Sequence, residues 1–276
     1  MNTTEIEDIE LRLLLQALYL RYGYDFRSYA QASVDRRVRS FLPSCDASRI
    51  SELIPKVLHD EAVFSRLVQT LSITVTDMFR DPFVYRALRE HVAPVLKTWP
   101  NVKVWHAGCA TGEEVYSTAI LLQEEGLYDR TTVYATDFND DALSKARDGI
   151  YELDRMQEFT RSYQEAGGKR SFSDYYHARY EAAAVGAGLK KNVTFVNHNL
   201  ATDSSFGEMH LIVCRNVLIY FNRELQDRAL SLFAESLVHG GFLCIGTHED
   251  LQFSAVADRF EQVDCSARIY KRVGGP

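Results

Sequence analysis

The sequence has no long apolar run and no cysteine pattern that would hold a metal or a set of disulfides. None of its apolar segments approaches the roughly 20 residues needed to cross a bilayer. The acidic start, MNTTEIEDIE, lacks the apolar core of a signal peptide. Five cysteines are widely scattered, and their odd number argues against a closed disulfide framework. These absences predict a cytoplasmic protein with reduced thiols, no metal and no direct membrane insertion.

The chain also has fewer basic than acidic residues. The 31 lysine and arginine residues are outnumbered by 38 aspartate and glutamate residues, which gives a net charge of −7 at pH 7. A nucleic-acid-binding surface needs an excess of positive charge, so we do not expect a nucleic acid as partner. The hydrophobic content of 46% is ordinary for a globular protein, and 276 residues suffice for one large domain or two modest ones.

The pattern of apolar residues changes near residue 95. Before it, segments such as IEDIELRLLLQALYLRYG place apolar residues at helical spacing, and no strand pattern interrupts them. From Val102 strands and helices alternate, which predicts a parallel sheet with crossover helices. Between Gly149 and Lys191 the alternation lapses in a tyrosine-rich stretch that is too long for an ordinary connection. We predict strands at 102–106, 132–136, 193–197, 210–214, 241–246 and 267–272.

The stretch VKVWHAGCATGEE predicts a ligand pocket. An apolar strand runs into a turn that contains Gly108 and Gly112, and a helical pattern follows. Such a unit builds a nucleotide-sized pocket at the carboxyl edge of an α/β sheet, and glycine lets the backbone approach a ligand where a Cβ would collide with it. The next strand, TTVYATDFN, ends at Asp137, whose carboxylate is suited to accept both hydroxyls of a ribose. A glycine pair alone is equally compatible with a purely structural turn.

The acids after this turn indicate the kind of nucleoside. The G-x-G-x-x-G spacing of NAD-binding turns is absent, and Glu113 and Glu114 would repel a pyrophosphate at the start of the helix. S-adenosyl-L-methionine has a ribose, an adenine, an amino group and a sulfonium, but no phosphate. The local chemistry therefore points to this methyl donor.

Two further segments combine polar and apolar residues in a way that suits a ligand. LSITVTDMFRDP alternates Thr74 and Thr76 with apolar residues ahead of Arg80, although a solvated linker would look the same. FVNHNL ends a strand with Asn199 and Leu200, an amide and an apolar group that suit an adenine. A turn asparagine is the simpler interpretation of that segment.

The segment LIVCRNVLIYF contains a third set of polar residues. A buried apolar strand ends at Arg215 and Asn216, and apolar sequence then resumes with Tyr220. Open α/β sheets bind ligands at the carboxyl ends of their central strands, so this placement favours a functional role.

Together these segments resemble one family. LSITVTDMFRDP, VWHAGCATGEEVYS, ATDFN, NHNL and CRNVLIYF, in this order, are similar to the chemoreceptor glutamate methyltransferases, the CheR family, over about residues 10–272. The resemblance implies an α/β fold: a class I, Rossmann-like methyltransferase domain at 101–276, an N-terminal all-helical domain at 1–75, linker helices at 76–100 and a small β-subdomain inserted at 150–192. It also implies S-adenosyl-L-methionine as the donor, S-adenosyl-L-homocysteine as the product, and side-chain glutamates of chemoreceptor cytoplasmic helices as acceptors.

The resemblance assigns a role to each of these residues. The donor-binding set that it implies is Thr74, Thr76, Arg80, Ala107, Gly108, Gly112, Glu113, Asp137, Asn199, Leu200, Arg215 and Asn216. Arg80 and Tyr220 form the implied catalytic pair, which would orient the acceptor carboxylate beside the transferred methyl group. Thr74 departs from the family, which commonly has asparagine at that position.

A basic cluster is the implied docking face for the receptor. Arg36, Arg37 and Arg39 lie in one predicted helix of an otherwise acidic chain, a pattern that a solvated helix face would also produce. In the family, a basic helix of the N-terminal domain faces the acidic methyl-accepting helices. The subdomain at 150–192 is a second docking candidate, and the need for a receptor tether peptide stays open. Two other functions also stay open: a non-catalytic module that binds donor or receptor, and a methyltransferase with another substrate.

Overall fold

The computed structural model describes residues 3–72, 76–252 and 254–274. The chain divides into two compact units, one of residues 1–73 and 219–228 and the other of residues 74–218 and 229–276. Within the described ranges, no helix has both the length and the apolar character needed to cross a membrane.

The first unit is helical. It contains α1 (Thr3–Tyr22), α2 (Gln31–Phe41), α3 (Leu53–His59) and α4 (Glu61–Leu71). The helix α4 begins where the Asp60 carboxylate accepts hydrogen bonds from the backbone N–H groups of Ala62 and Val63, a typical N-cap. Leucines at helical spacing on α1, among them Leu11, Leu14 and Leu18, are almost fully buried. The predicted all-helical N-terminal fold is confirmed.

The second unit is α/β. Its larger sheet contains β1 (Val102–Ala107), β2 (Thr131–Asp137), β6 (Val193–Asn197), β7 (Met209–Cys214), β8 (Leu237–Ile245), β9 (Phe260–Asp264) and β10 (Ile269–Arg272). The helices of this unit are α5 (Pro82–Ala87), α6 (Ala93–Leu96), α7 (Glu113–Glu124), α8 (Asp140–Asp148), α9 (Met156–Glu165), α10 (Ala187–Lys190) and most of α11 (Arg223–Ser236). The first residues of α11, up to Arg228, belong to the helical unit.

The strand order explains where a ligand can bind. The sheet runs β6-β2-β1-β7-β8-β10-β9. The strands β6, β2, β1, β7 and β8 are parallel to one another, and β10 is antiparallel to both of its neighbours, β8 and β9. The order reverses at β1, whose neighbours are β2 on one side and β7 on the other. The carboxyl ends of these strands share one edge of the sheet, so the loops after β1, β2, β6 and β7 all emerge there.

A small antiparallel sheet is inserted between β2 and β6. Its strands β3 (Ile150–Glu152), β4 (Tyr176–Arg179) and β5 (Ala182–Val185) are ordered β3-β5-β4, and α9 lies between β3 and β4 in the chain. The predicted inserted β-subdomain is therefore present. Its aromatic residues Phe159, Tyr163, Phe172 and Tyr175 are buried in the core of the α/β unit.

All six strands predicted from the sequence are present, with somewhat different ends. The strand β9 was not predicted. Its sequence, FEQVD, is polar and only partly buried, so it lacks the apolar pattern that identified the other strands.

Candidate active site

The loop after β1 has a left-handed backbone at three residues and is held by hydrogen bonds to the neighbouring strand. Gly108, Ala110 and Gly112 have φ angles of +77°, +47° and +90°, in the left-handed region that glycine tolerates best. The N–H groups of Gly108 and Cys109 both donate to the carbonyl oxygen of Thr136, at 2.8 and 2.9 Å. The loop that starts after Ala107 is thereby tied to the end of the neighbouring strand β2.

The two glycines of this loop also lie against protein atoms. A Cβ on Gly108 would come within 2.5 Å of Cγ2 of Val217, and one on Gly112 would come within 2.9 Å of the Cβ of Ala146. The sequence pattern predicts that these glycines leave room for a ligand. In the structure, the nearest obstacle to a Cβ is the folded chain itself.

Asp137 lies at the end of β2 and is bonded to the same loop. Its Oδ2 accepts the N–H of Ala110 at 2.9 Å, and its Oδ1 accepts the N–H of Asn139 at 2.9 Å. Burial raises the pKa of Asp137, and the backbone N–H bonds oppose the rise. Each carboxylate oxygen has a second lone pair. The group can therefore hold the loop and still accept further hydrogen bonds.

Glu113 begins α7 and is buried. Thr111 Oγ1 donates to its Oε2 at 2.6 Å, and Nη1 of Arg155 lies 3.6 Å from its Oε1. Burial raises the pKa of Glu113 to about 7, while the bond from Thr111 and the positive charge of Arg155 lower it in part. Such a carboxyl is partly protonated near neutral pH. A cation that binds beside it would lower its pKa and so favour the fully ionised carboxylate.

Arg155 is a residue that the sequence interpretation missed. It comes from the β-subdomain, and its guanidinium bonds the carboxylate of Asp77 and the carbonyl oxygen of Thr76, as well as approaching Glu113. It also lies 4.6 Å from the centre of the Phe159 ring. Its bonds to Asp77 and Thr76 span 78 and 79 residues of sequence, and no local motif marks such a connection.

Arg215, just after β7, is buried and holds the segment around Arg80. Its Nη1 donates to the carbonyl oxygen of Arg80 at 3.1 Å and to Oε1 of Glu114 at 2.5 Å, while Nη2 donates to Oδ2 of Asp81 at 2.6 Å. Burial lowers the pKa of Arg215, but the negative charges of Glu114 and Asp81 outweigh this and keep the pKa above its ordinary value. Arg215 is therefore a permanently charged clamp.

Arg80 lies between two residues with strained backbone. Phe79 and Asp81 have φ angles of +55° and +54°, a region that non-glycine residues occupy only when their surroundings hold them there. Arg215 does so on one side, and Oγ of Ser117 accepts the N–H of Phe79 at 2.9 Å on the other. The half-buried Arg80 guanidinium itself makes no hydrogen bond or ion pair with any residue in the described ranges.

The turn after β6 is stabilised by its asparagine. Oδ1 of Asn199 accepts the N–H of Ala201 at 2.9 Å, and the Asn199 N–H donates to Asp203 at 2.9 Å. Leu200 is buried. Asn199 is therefore a turn-stabilising residue, which is one of the two interpretations that the sequence allows. Its amide nitrogen can still donate a hydrogen bond to a ligand.

The structure brings most of the predicted site residues to one edge of the sheet. Ala107, Asp137, Asn199 and Asn216 all lie at or just after the carboxyl ends of parallel strands, and Asn216 has a left-handed φ of +58°. Thr74 lies outside the described residues. Tyr220 belongs to the helical unit.

Comparison with known proteins identifies the family. Residues 74–269 match the family described as "CheR methyltransferase, SAM binding domain", and residues 9–72 match its "all-alpha domain". This chain belongs to the CheR methyltransferase family.

Three named relatives align with most or nearly all of the chain. A Pseudomonas putida protein named as methyltransferase Cher3 is 52% identical over 99% of this chain and 100% of its own length. A protein of Vibrio cholerae named as chemotaxis protein methyltransferase 1 is 28% identical over 98% of both chains. One of Listeria monocytogenes named as chemotaxis protein methyltransferase is 29% identical over 83% of this chain and 85% of its own.

The site fits the methyl donor of the CheR family. A buried carboxyl with a raised pKa suits the amino group of S-adenosyl-L-methionine, and a second buried carboxylate with free lone pairs suits its ribose. No groups of histidine, cysteine, aspartate or glutamate that could bind a metal occur in the described part of the chain.

The basic cluster predicted on α2 is less uniform than its sequence indicates. Arg39 is bonded to Asp35 at 2.8 Å and to Glu7 at 2.9 Å. Arg37 points its Nη1 at the carbonyl oxygens of Thr70 and Leu71. Arg36 is exposed and makes no such bond among the described residues.

Proposed function

We propose that this protein transfers a methyl group from S-adenosyl-L-methionine to glutamate side chains of chemoreceptors and forms glutamate methyl esters. The observation that carries the proposal is an unpaired arginine, Arg80, held in a strained loop of a CheR methyltransferase domain. A guanidinium without an internal partner is available to an acceptor carboxylate, for which its planar fork is well matched.

The chemistry needs little from the protein beyond alignment. The donor supplies an electrophilic methyl group on a sulfonium. A glutamate side chain, with a reference pKa of about 4.3, is already ionised at neutral pH, so no general base is required. Arg80 and Tyr220 orient the carboxylate oxygen toward the methyl carbon, and exclusion of water keeps that oxygen nucleophilic.

We infer the following division of labour in donor binding. Glu113 faces the amino group and Asp137 holds the ribose. The Gly108–Gly112 loop shapes the remaining walls together with Asn199, Leu200, Arg215 and Asn216. Thr76 and Arg80 lie in the segment before β1, and Thr74, outside the described residues, stays a sequence prediction. Support comes from the shared sheet edge and from the clamp of Arg215 on the Arg80 segment.

The receptor is proposed to dock on α2, through Arg36, and on the β-subdomain. Of Arg36, Arg37 and Arg39, the exposed Arg36 is the member without a bond to described residues. In the β-subdomain, β4 lies at an edge of its sheet and its residues His177 to Arg179 are exposed. An open edge strand of this kind can add a strand from a peptide.

The test is methyl transfer with a labelled donor. Purified protein is incubated with S-adenosyl-L-methionine and a chemoreceptor cytoplasmic fragment, and receptor peptides are then analysed by mass spectrometry. We expect a mass gain of one methyl group on glutamate side chains, removed by mild base as an ester requires. Donor binding without methyl transfer would identify a non-catalytic module, and methylation of another class of molecule in a cell extract would assign a different substrate.

A further inference from the structure

We propose that Arg37 is a positioning residue that orients the ring of Tyr220, and that receptor docking is not its role. The inference rests on the proposed function, because it takes the catalytic role of Tyr220 from there. Arg37, Tyr220 and all their contacts used below lie within the helical unit.

The Arg37 guanidinium is anchored inside the unit. Its Nη1 donates to the carbonyl oxygens of Thr70 at 3.3 Å and Leu71 at 3.1 Å. Both carbonyls lie in the last turn of α4, where backbone oxygens lack helical partners. A side chain that satisfies two such oxygens is fixed in place. The group is also half-buried, and its Nε is buried with no hydrogen-bond partner among the described residues, so little of the guanidinium faces outward toward a receptor.

The backbone that carries Tyr220 is also fixed. The N–H of Ala30 donates to the Tyr220 carbonyl oxygen at 2.8 Å, and the N–H of Asn222 donates to the Ser28 carbonyl oxygen at 2.9 Å. Between them, Phe221 forms a β-bridge with Tyr29, and the two rings lie 5.1 Å apart. These contacts hold the main chain of the segment and leave the Tyr220 ring to be oriented by its side-chain neighbours.

The neighbour that does this is Arg37. Its guanidinium carbon lies 5.7 Å from the centre of the Tyr220 ring, within the range of a cation–π contact. Among the described residues, no hydrogen bond holds the Tyr220 hydroxyl, so that group is free to meet a ligand. One arginine therefore links the end of α4, which leads toward Arg80 in the sequence, to the ring of the second proposed catalytic residue.

Lysine and alanine at this position separate positioning from docking. Lysine keeps the positive charge but lacks the planar guanidinium that can bond two carbonyls and face a ring at once. A docking residue would be largely rescued by lysine, whereas a positioning residue would not. Arg36, its exposed neighbour on α2 and the proposed docking residue, provides the contrast, because its loss should change the receptor KM and not kcat.

The experiment measures kcat and KM for a receptor fragment in the wild type, Arg37→Ala, Arg37→Lys, Arg36→Ala, Tyr220→Phe and the double variant Arg37→Ala with Tyr220→Phe. We expect Arg37→Ala to lower kcat roughly tenfold, with receptor KM and S-adenosyl-L-homocysteine affinity within about twofold. Arg37→Lys should recover only part of kcat, and Arg36→Ala should raise the receptor KM with kcat unchanged. The double variant should be no slower than Tyr220→Phe, because the two residues act through one contact.

Thermal melts accompany the kinetics, and Arg37→Lys carries the comparison if Arg37→Ala unfolds. A rise in receptor KM at unchanged kcat, full rescue by lysine, or losses that multiply in the double variant would each overturn the proposal. If Tyr220→Phe is as active as the wild type, Arg37 has no catalytic ring to position and the proposal is also overturned. Failure of the proposed function is a separate result, since the wild type would then methylate no receptor.

Discussion

At the scale of single residues, the buried carboxyl of Glu113 makes donor binding depend on pH. Burial places the pKa of Glu113 at about 7, so the protonated form predominates below that pH. An ammonium group binds the carboxylate and not the neutral acid. Donor affinity should therefore be high above pH 7 and fall as the pH drops below it, by up to about tenfold per pH unit.

Calorimetric titration with S-adenosyl-L-homocysteine, which keeps the amino group, measures this dependence between roughly pH 6 and pH 8. Glu113→Gln removes the titrating group and serves as the control. We expect it to bind more weakly than the wild type at high pH and to show little change with pH. A wild-type affinity that is flat across this range would exclude Glu113 as the partner of the amino group.

The close packing of Gly108 leads to a prediction on stability. Gly108→Ala would bring a Cβ within 2.5 Å of Val217 and keep a φ of +77° that alanine disfavours. We expect a loss of about 1–3 kcal/mol in the free energy of unfolding. Adding Val217→Ala should restore part of this loss, because it removes the clash but not the backbone strain. Urea unfolding of both variants measures it, and no recovery in the double variant would mean that the clash is relieved in another way.

How far the sequence can predict such residues depends on how local their causes are. The need for glycine at 108 follows from the motif, but its packing against Val217 depends on a contact across the sheet edge. Arg155 shows the limit more clearly, because its bonds to Asp77 and Thr76 join parts of the chain 78 and 79 residues apart. The acids could be singled out because Asp137 ends an apolar strand and Glu113 begins the helical pattern after the strand–turn unit.

At the scale of the elements, the end of α7 anchors the β-subdomain. The side chain of Glu124 is 1% exposed and forms a salt bridge with Arg89. It also accepts hydrogen bonds from the hydroxyls of Tyr163 and Tyr175, at 2.5 and 2.9 Å, and from the N–H of Lys169 at 2.9 Å. Three of these four donors belong to the inserted segment, so one carboxylate holds the insert to α7.

Removal of this anchor should loosen the insert. Glu124→Ala removes the acceptor of the Tyr175 hydroxyl and one of the two salt bridges of Arg89, which keeps its bridge to Glu125. We therefore expect a loss of about 1–3 kcal/mol in the free energy of unfolding. Gln123→Ala, an exposed neighbour on the same helix, is the control and should have little effect. Denaturant unfolding gives the stability, and hydrogen exchange over residues 156–175 shows where it is lost. Unchanged protection there in Glu124→Ala would contradict the anchor role.

The elements that the sequence predicted well are those with a strong apolar period. The strands β1, β2 and β7 are buried along most of their length and follow a plain apolar pattern. The strands of the insert are three or four residues long, and β5 consists of Ala-Ala-Ala-Val. Such short segments are too short to show a hydrophobic periodicity that identifies a strand. The prediction that the insert is a β-subdomain therefore came from the family resemblance.

At the scale of the whole molecule, the charge balance bears on how a receptor is bound. The chain carries a net charge of −7, and the acceptor carboxylates are also negative, so attraction between the two comes only from positive charges within a screening length of the contact. Binding then depends on a local positive region. On α2, the positive charge of Arg39 is already paired with Asp35 and Glu7. Arg36 is therefore the exposed arginine of α2 whose charge is available to a receptor.

We therefore predict that receptor binding is salt-sensitive and donor binding is not. Raising the ionic strength shortens the screening length from about 10 Å to a few ångströms and should raise the receptor KM, while calorimetric affinity for S-adenosyl-L-homocysteine stays nearly constant because its partners are buried. Arg36→Glu should raise the receptor KM at low salt by a factor of a few, since one exposed pair contributes about 0–1 kcal/mol and the reversal adds repulsion. Arg39→Glu is the matched comparison: it also introduces repulsion with Asp35 and Glu7, so a lowered melting temperature should accompany any change in KM. A receptor KM that is independent of salt, with Arg36→Glu as active as the wild type, would remove α2 from receptor binding and leave the edge of β4 as the proposed docking site.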